Sequence, residues 1–286
     1  MKHVFILYSS KKKDHPFIPV IHDVMKGIDY DIHVSQYIGH ASDIIDSYKE
    51  PTRFYSVGGD GMVNQVMQKI VNTDHQLVVI PFGTGTDFAR VVYKKRKARD
   101  ILERSLYKKG HLVDVLQIND RYAMNSICFG IDATIANTVH EKGMFKFVPD
   151  RYSYVLGILR RIREYDFPRI KIIAKDKDEA VYDDAMSICA MMNGRFYGGG
   201  FGIAPQAEII DGMMDVIVLG KIKKITFPKY VALILRKKLS LHPDVLSMKV
   251  KELTVYTDVS ANIDGDEMHA DDYHIKVLPA ALYLVF

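Results

Sequence analysis

At 286 residues the chain has room for one large domain or two, with a substantial core. Its 48% hydrophobic and 26% charged residues are ordinary for a globular protein, and a formal charge of +4 is too small to point to nucleic acid. The two cysteines, Cys128 and Cys189, stand in apolar runs away from any zinc-ligand spacing, which fits buried thiols in a reducing compartment.

The opening MKHVFILYSSKKK carries an apolar run too short for a signal-peptide core. Nowhere does the chain reach the roughly eighteen consecutive apolar residues of a membrane span. The expectation from these features is a cytoplasmic chain, touching a membrane only from its surface if at all.

The first half alternates. Residues 4–8 read as a buried strand, 16–28 as a helix, 32–37 as a strand and 41–48 as a short helix. Next comes Arg-Phe-Tyr-Ser-Val-Gly-Gly-Asp-Gly-Met-Val-Asn-Gln at 53–65. Its apolar run stops at Gly58-Gly59-Asp60-Gly61, and helical spacing follows at Val63, Val66, Met67, Ile70 and Val71. Strand, glycine turn and helix together aim backbone N–H groups at an anion. Glycines there can take positive φ or let a ligand approach closely. Asp60 within such a turn either holds a cation, water or hydroxyl, or caps the helix behind it.

Residues 77–80 form the next strand. It ends at Pro81-Phe82-Gly83-Thr84-Gly85-Thr86-Asp87, with helices expected at 88–93 and 98–108. Asp87 is expected to cap the first of these, and Thr84 to face the ligand. Strands separated by helices make a parallel sheet, whose ligands lie beyond the carboxyl ends of the strands. Both glycine turns fall there.

Near residue 112 the rhythm changes to short strands separated by turn pairs: 112–118, 121–129, 169–174, 185–192, 213–219, 253–257 and 274–277. This is antiparallel composition, a sandwich or barrel. Helical patches interrupt it at 150–163 and 226–238. The domains are therefore expected at 1–112, an α/β nucleotide-binding domain, and 113–286, a β-rich sandwich; residues 280–286 are candidates to return to the first.

Four blocks now stand in order: Gly58-Gly59-Asp60-Gly61; Pro81-x-Gly83-Thr84-x-x-Asp87-Phe88-Ala89-Arg90; MNGRFYGGGFGIAPQAEIIDGMMD at 192–215; and Ile263-Asp264-Gly265-Asp266-Glu267. Together they resemble the diacylglycerol kinase catalytic domain, and more narrowly the soluble bacterial lipid kinases of the diacylglycerol and sphingosine kinase superfamily. The resemblance spans nearly the whole chain. It implies an α/β domain related to NAD kinases followed by a β-rich domain, with ATP as donor and a lipid hydroxyl as acceptor.

Carried over position by position, it places Ser9, Ser35, Gly58, Gly59, Asp60, Gly61, Met62, Val63, Asn64, Thr84 and Asp87 at the nucleotide. Asp60, Asp87 and Asp114 become the acidic groups around the phosphates and a catalytic Mg²⁺. Asp264 and Asp266 stand where the proton acceptor is expected. Asp211, with the carbonyls of Glu208 and Met213, matches a structural Mg²⁺ site, and oxygen-only ligands suit that hard cation. The implied partners are a nucleotide and a lipid at a membrane surface, with a homodimer possible.

The chain also departs from the family. Its first loop, Ser9-Ser10-Lys11-Lys12-Lys13, lacks the usual asparagine, proline and glycine. Met62 replaces a threonine, Gln65 a glutamate and Thr86 an asparagine, while Asp266 stands for a glutamate. Two other readings stay open: an NAD kinase, which shares the first glycine turn, and a binding protein that kept the fold without turnover. Basic clusters at 94–97, 160–163 and 236–238 are either solvated helix faces or contacts for anionic headgroups.

Overall fold

The computed structural model describes residues 1–8, 15–37, 39–83, 85–94, 96–130, 165–175, 177 and 179–286. The chain divides into two compact units, Met1–Asp114 with Ala280–Phe286, and Val115–Pro279.

In the first unit the expected alternation is present: β1 (Lys2–Tyr8), α1 (Ile18–Val24), β2 (Tyr30–Ser35), α2 (His40–Asp46), β3 (Thr52–Gly58), α3 (Asp60–Ile70), β4 (Gln76–Pro81), α4 (Asp87–Tyr93) and α5 (Ala98–Ser105). β2, β1, β3 and β4 lie side by side in that order, all parallel. β3 is buried along its whole length, as a central strand covered on both faces must be.

The last residues of the chain complete this sheet. Within β15 (Asp272–Val285), Tyr283 and Leu284 pair in parallel with Gln76 and Leu77 of β4. Tyr93 fastens the join: its hydroxyl donates to the Val285 carbonyl at 2.7 Å and accepts from the Val79 amide at 3.4 Å. Buried Arg53 ties β3 to its neighbours. Its guanidinium donates to Gln76 Oε1 and to the carbonyls of Ser105 and Lys108, at the negative end of the α5 dipole.

The second unit is antiparallel. β5 (Gly110–Ile118) and β6 (Arg121–Ala123) form a hairpin, followed by β7 (Ser126–Gly130), β8 (Arg169–Ala174), β9 (Tyr182–Met192), β10 (Met214–Gly220), β11 (Val245–Val250), β12 (Glu252–Tyr256), β13 (Ala261–Ile263) and β14 (Asp266–Met268). The strand expected over 121–129 is two strands, broken at Met124-Asn125; β11 is a strand the sequence did not suggest, and β13 and β14 are the strands expected on either side of the Asp264-Gly265 turn. β9 is the hub, pairing with β7, β8 and β10. Alternate residues along it feed two cores: Met186, Cys189 and Met191 enter one, centred on Phe129 and Tyr273. Ile188, Ala190 and Met192 enter the other, which is closed by helix α6 (Phe227–Leu235). Both cysteines are buried and neither is in a disulfide. The helix expected over 150–163 lies outside the described residues.

A half-buried histidine, His3, makes the first unit sensitive to acid. Burial, and then the Arg53 guanidinium, push the His3 imidazole down to about 4 from 6.5; its Nδ1 meets the Tyr55 hydroxyl at 2.8 Å. Between those two values the unfolded chain binds a proton that the folded one refuses, so stability rises with pH there and is lost as pH falls. His3→Phe should make the loss between pH 4 and 6.5 less steep, read from urea midpoints across that range.

Candidate active site

The carboxyl ends of the four parallel strands form one edge. Tyr8 pairs with Ser35, Leu7 with Val57 and Gly58 with Pro81, so Ser35, Tyr8, Gly58 and Pro81 stand in a row. The sequence-predicted residues Ser35, Gly58, Gly59, Asp60, Gly61 and Asp87 all belong to this edge or to the turns leaving it. Ser9 and Thr84 lie outside the described residues. Ser35 is buried, its hydroxyl 3.4 Å from the Tyr37 carbonyl.

The two glycine turns are fastened to each other through Asp60. Its amide donates to the Gly85 carbonyl at 2.9 Å. Its carboxylate accepts from the amides of Asp87 at 2.9 Å and Phe88 at 3.3 Å, the first residues of α4. The Phe82 amide returns a bond to the Gly58 carbonyl at 2.9 Å. Asp60 was expected to serve a ligand or cap the helix that follows it; the helix its carboxylate caps is the next one, α4. The cap expected of Asp87 is accordingly not made by Asp87, which pairs with Arg90 at 3.2 Å. A helix start needs acceptors for its first amides, and here the acceptor comes from the neighbouring turn.

Glycine is required here for space. Gly59 has φ −91°, a value open to any residue, but a Cβ on it would meet the Gly85 carbonyl oxygen at 2.8 Å. Positive φ, open to Gly58, Gly59 and Gly61, is adopted by none of them.

Met62, Val63 and Asn64, expected at the nucleotide, bury their side chains in the first unit. The amides of Met62 and Val63 already donate to the Gly59 carbonyl, and Asn64 Oδ1 accepts from Gln68. Periodicity alone could have shown this, because Val63, Val66, Met67 and Ile70 define the inward face of α3.

Asp114 is not brought to the glycine turns. It is buried, with Oδ1 accepting the Ala280 amide at 2.9 Å. Ala280 precedes Tyr283, which pairs with Gln76 at the amino end of β4, whereas the turn leaves the carboxyl end at Pro81. Five residues of strand, roughly 16 Å, separate those ends.

Exposed aromatic rings escaped the sequence reading. Tyr8 is 56% exposed between Ser35 and Gly58, and Phe82 is 38% exposed after Pro81. Phe82 is held against the buried rings of His15, 4.6 Å between centroids, and Phe17 at 5.9 Å. An exposed ring at a strand's carboxyl end was the available signal.

In the second unit Asp264 and Gly265 are the central residues of the turn between β13 and β14, with φ +50° and +106°. Two consecutive positive φ values make the tight hairpin that Asp-Gly favours. The Asp264 carboxylate reaches back to accept three amides: Met124 at 2.6 Å, Asn125 at 3.0 Å and Ser126 at 2.8 Å. Asn193 holds the same segment from its other side, donating from its side chain to the Met124 carbonyl and from its amide to that of Asn125. Asp266 is different. Its side chain is 54% exposed and pairs with Arg121 at 3.2 Å.

Asp211 already has a cation. Its Oδ1 accepts the Met213 amide, and its Oδ2 meets Lys249 Nζ at 2.5 Å; the same ammonium lies 3.4 Å from buried Asp215. Burial pushes the Asp215 carboxyl upward against the pull of Lys249. Burial works to lower the Lys249 ammonium, but the bond to Asp211 and the charge of Asp215 outweigh it, and its pKa is raised. Glu208 is exposed. The carboxylate that the resemblance gives to a structural Mg²⁺ is thus neutralised by the chain itself, and a divalent ion would have to displace that ammonium.

Two family models cover almost all of the chain. Residues 4–118 match the diacylglycerol kinase catalytic domain, and residues 125–286 the YegS C-terminal NAD kinase beta sandwich-like domain. The chain belongs to the diacylglycerol kinase family. Within that lipid-kinase family it has the YegS-type architecture, an α/β catalytic domain followed by a β-rich one. Among its relatives is a "Probable lipid kinase YegS-like" protein of Pectobacterium atrosepticum, 26% identical over 233 residues, covering 80% of this chain and 76% of the relative. A protein of the same description from Alcanivorax borkumensis is 25% identical over 243 residues, covering 79% and 76%. The crystal structure of a diacylglycerol kinase from Bacillus anthracis str. Sterne shares the fold, with TM-score 0.71 at 19% identity over 100% of this chain and 96% of that one. Among the described residues of this family member, no helix is long and apolar enough to cross a membrane.

Two substitutions probe these clasps. Asp60→Ala strands two amides at the start of α4 and should cost about 2–4 kcal/mol in chemical denaturation, with Asp60→Asn costing less because its amide oxygen still accepts. Lys249→Met leaves buried Asp215 beside Asp211 without a counter-charge and should cost about 2–3 kcal/mol. Because the ammonium is already in place, added Mg²⁺ should leave the wild-type melting temperature unchanged.

Proposed function

We propose that this chain is an ATP- and Mg²⁺-dependent lipid kinase that transfers the γ-phosphoryl group to a hydroxyl of diacylglycerol or a related lipid. The observation that carries the reading is the row Ser35–Tyr8–Gly58–Pro81 with its two mutually fastened glycine turns, in a chain of the diacylglycerol kinase family. Phosphoryl transfer asks for positioning and charge neutralisation more than covalent chemistry. Turns locked by Asp60 are pre-organised for that task, since they need no reordering when phosphates arrive.

In this reading the backbone of 58–61 approaches the phosphates, at the N-terminus of the eleven-residue helix α3. Ser35 lies at the rim, and Tyr8 and Phe82 offer rings for the base to pack against. When bound, Mg²⁺ neutralises charge on the transferring phosphates. Asp60 and Asp87 would hold it through water, an all-oxygen donor set of the kind the ion prefers. Asp114 is left out of this role, since it sits at the other end of β4.

The proton of the lipid hydroxyl goes to Asp266. Asp264 has spent its carboxylate on three backbone amides, so its part is to hold the Met124–Ser126 segment and the hairpin that carries Asp266. Asp266 is the exposed carboxylate of the pair, and Arg121 orients it.

The test is transfer of labelled phosphate from Mg²⁺-ATP to diacylglycerol, sphingosine-type lipids and NAD in parallel. Lipid product is expected, with Asp266→Asn lowering kcat by about a hundredfold or more while ATP binding persists. Asp264→Asn should instead lower stability together with activity. Phosphorylation of NAD alone would replace the reading with an NAD kinase, and ATP binding without any product would make this a non-catalytic member.

A further inference from the structure

Residues 220–241 carry seven basic residues, six lysines and Arg236, and no Asp or Glu. This stretch runs through a 3-10 turn at Lys224–Thr226, helix α6 and a second 3-10 turn at Leu239–Leu241. It lies on the face of the second unit formed by β9 and β10: Ile222, Phe227, Tyr230 and Leu239 pack on Ile188, Ala190, Ile217 and Leu219. A surface helix placed this way should carry polar residues outward. The outward positions of α6 are instead Pro228 and Leu235, with half-covered Ala232 between them, set among Lys229 and Arg236. Beyond its two ends stand Ile225, 86% exposed, and Leu241, 75% exposed.

Bare aliphatic side chains ringed by cations, without an anion among them, are costly in water and complementary to one surface, an anionic bilayer. Next to the helix N-terminus is a pocket of about 330 Å³ lined by Lys221, Lys223, Thr226, Lys229, Tyr230 and Asp244. Its lone carboxylate is engaged by the Tyr230 hydroxyl at 2.7 Å and faces His242 at 3.5 Å. Lys229 is poised over the Tyr230 ring, 5.4 Å from its centroid. Three lysine side chains lining a cavity of that size suit a phosphate-bearing headgroup.

We propose that the surface made by 221–241 docks the protein on anionic phospholipid bilayers, with Ile225 and Leu241 entering the acyl boundary and the Lys221–Lys223–Lys229 pocket taking a headgroup phosphate. The proposal stands apart from the kinase reading, because vesicle binding is read without any turnover.

The experiment is flotation of the full chain with vesicles of phosphatidylcholine alone and of phosphatidylcholine containing phosphatidylglycerol. Binding is expected to the anionic vesicles only, and to fall steeply with added salt. Each basic side chain near such a surface strengthens binding roughly fivefold, so Lys223→Gln/Lys229→Gln should lose about twenty-five-fold. Ile225→Ser/Leu241→Ser should lose about tenfold at unchanged charge. Both pairs are exposed, and unchanged thermal melting confirms that the variants fold. Equal binding to neutral vesicles, no binding, or unaltered binding by both variants overturns the proposal. So does a wild-type dimer that the Ile225→Ser/Leu241→Ser variant dissolves, since the apolar patch would then be covered by a second copy.

Discussion

The bond set of Asp60 is what the rest of the catalytic domain depends on. Its carboxylate satisfies the first amides of α4 while its own amide holds Gly85, so neither glycine turn can move without the other. Glycine-rich turns are entropically loose by composition. Here the looseness is removed by one side chain, and what remains of the glycines is their lack of a Cβ, which lets Gly59 lie against the Gly85 carbonyl.

The second unit repeats the device. Asp264 accepts three amides of the segment between β6 and β7, and Asn193 grips that segment from the far side. Carboxylates make good clasps because they accept several bonds at once and charge-assisted bonds are the stronger kind. A carboxylate employed in this way is a poor candidate for moving a proton, which is why the proposed mechanism gives that part to the exposed neighbour Asp266. At Asp211 and Asp215 the pairing partner is Lys249, an internal cation where the family resemblance had pointed to a metal.

Binding surfaces follow the same division. In the proposed reading the row of strand ends in the first unit supplies backbone and rings for a nucleotide, and the cationic, aliphatic face of 221–241 supplies what a bilayer would recognise. A kinase acting on a membrane lipid needs both, and they are built from different elements.

From its sequence alone this protein's strand–helix alternation, its change to antiparallel rhythm, its glycine turns and its family were all readable, because each rests on spacing within a few residues or on short blocks. The buried character of Cys128 and Cys189 was readable for the same reason. Tertiary structure alone decided what each acidic residue touches. The partner of Asp60 lies 27 residues away and that of Asp264 as many as 140. Asp114 went to the opposite end of β4, and Lys249 came to Asp211 across 38 residues. Local chemistry shapes a turn or a helix; the acceptor that a distant amide finds is set by how the finished elements pack.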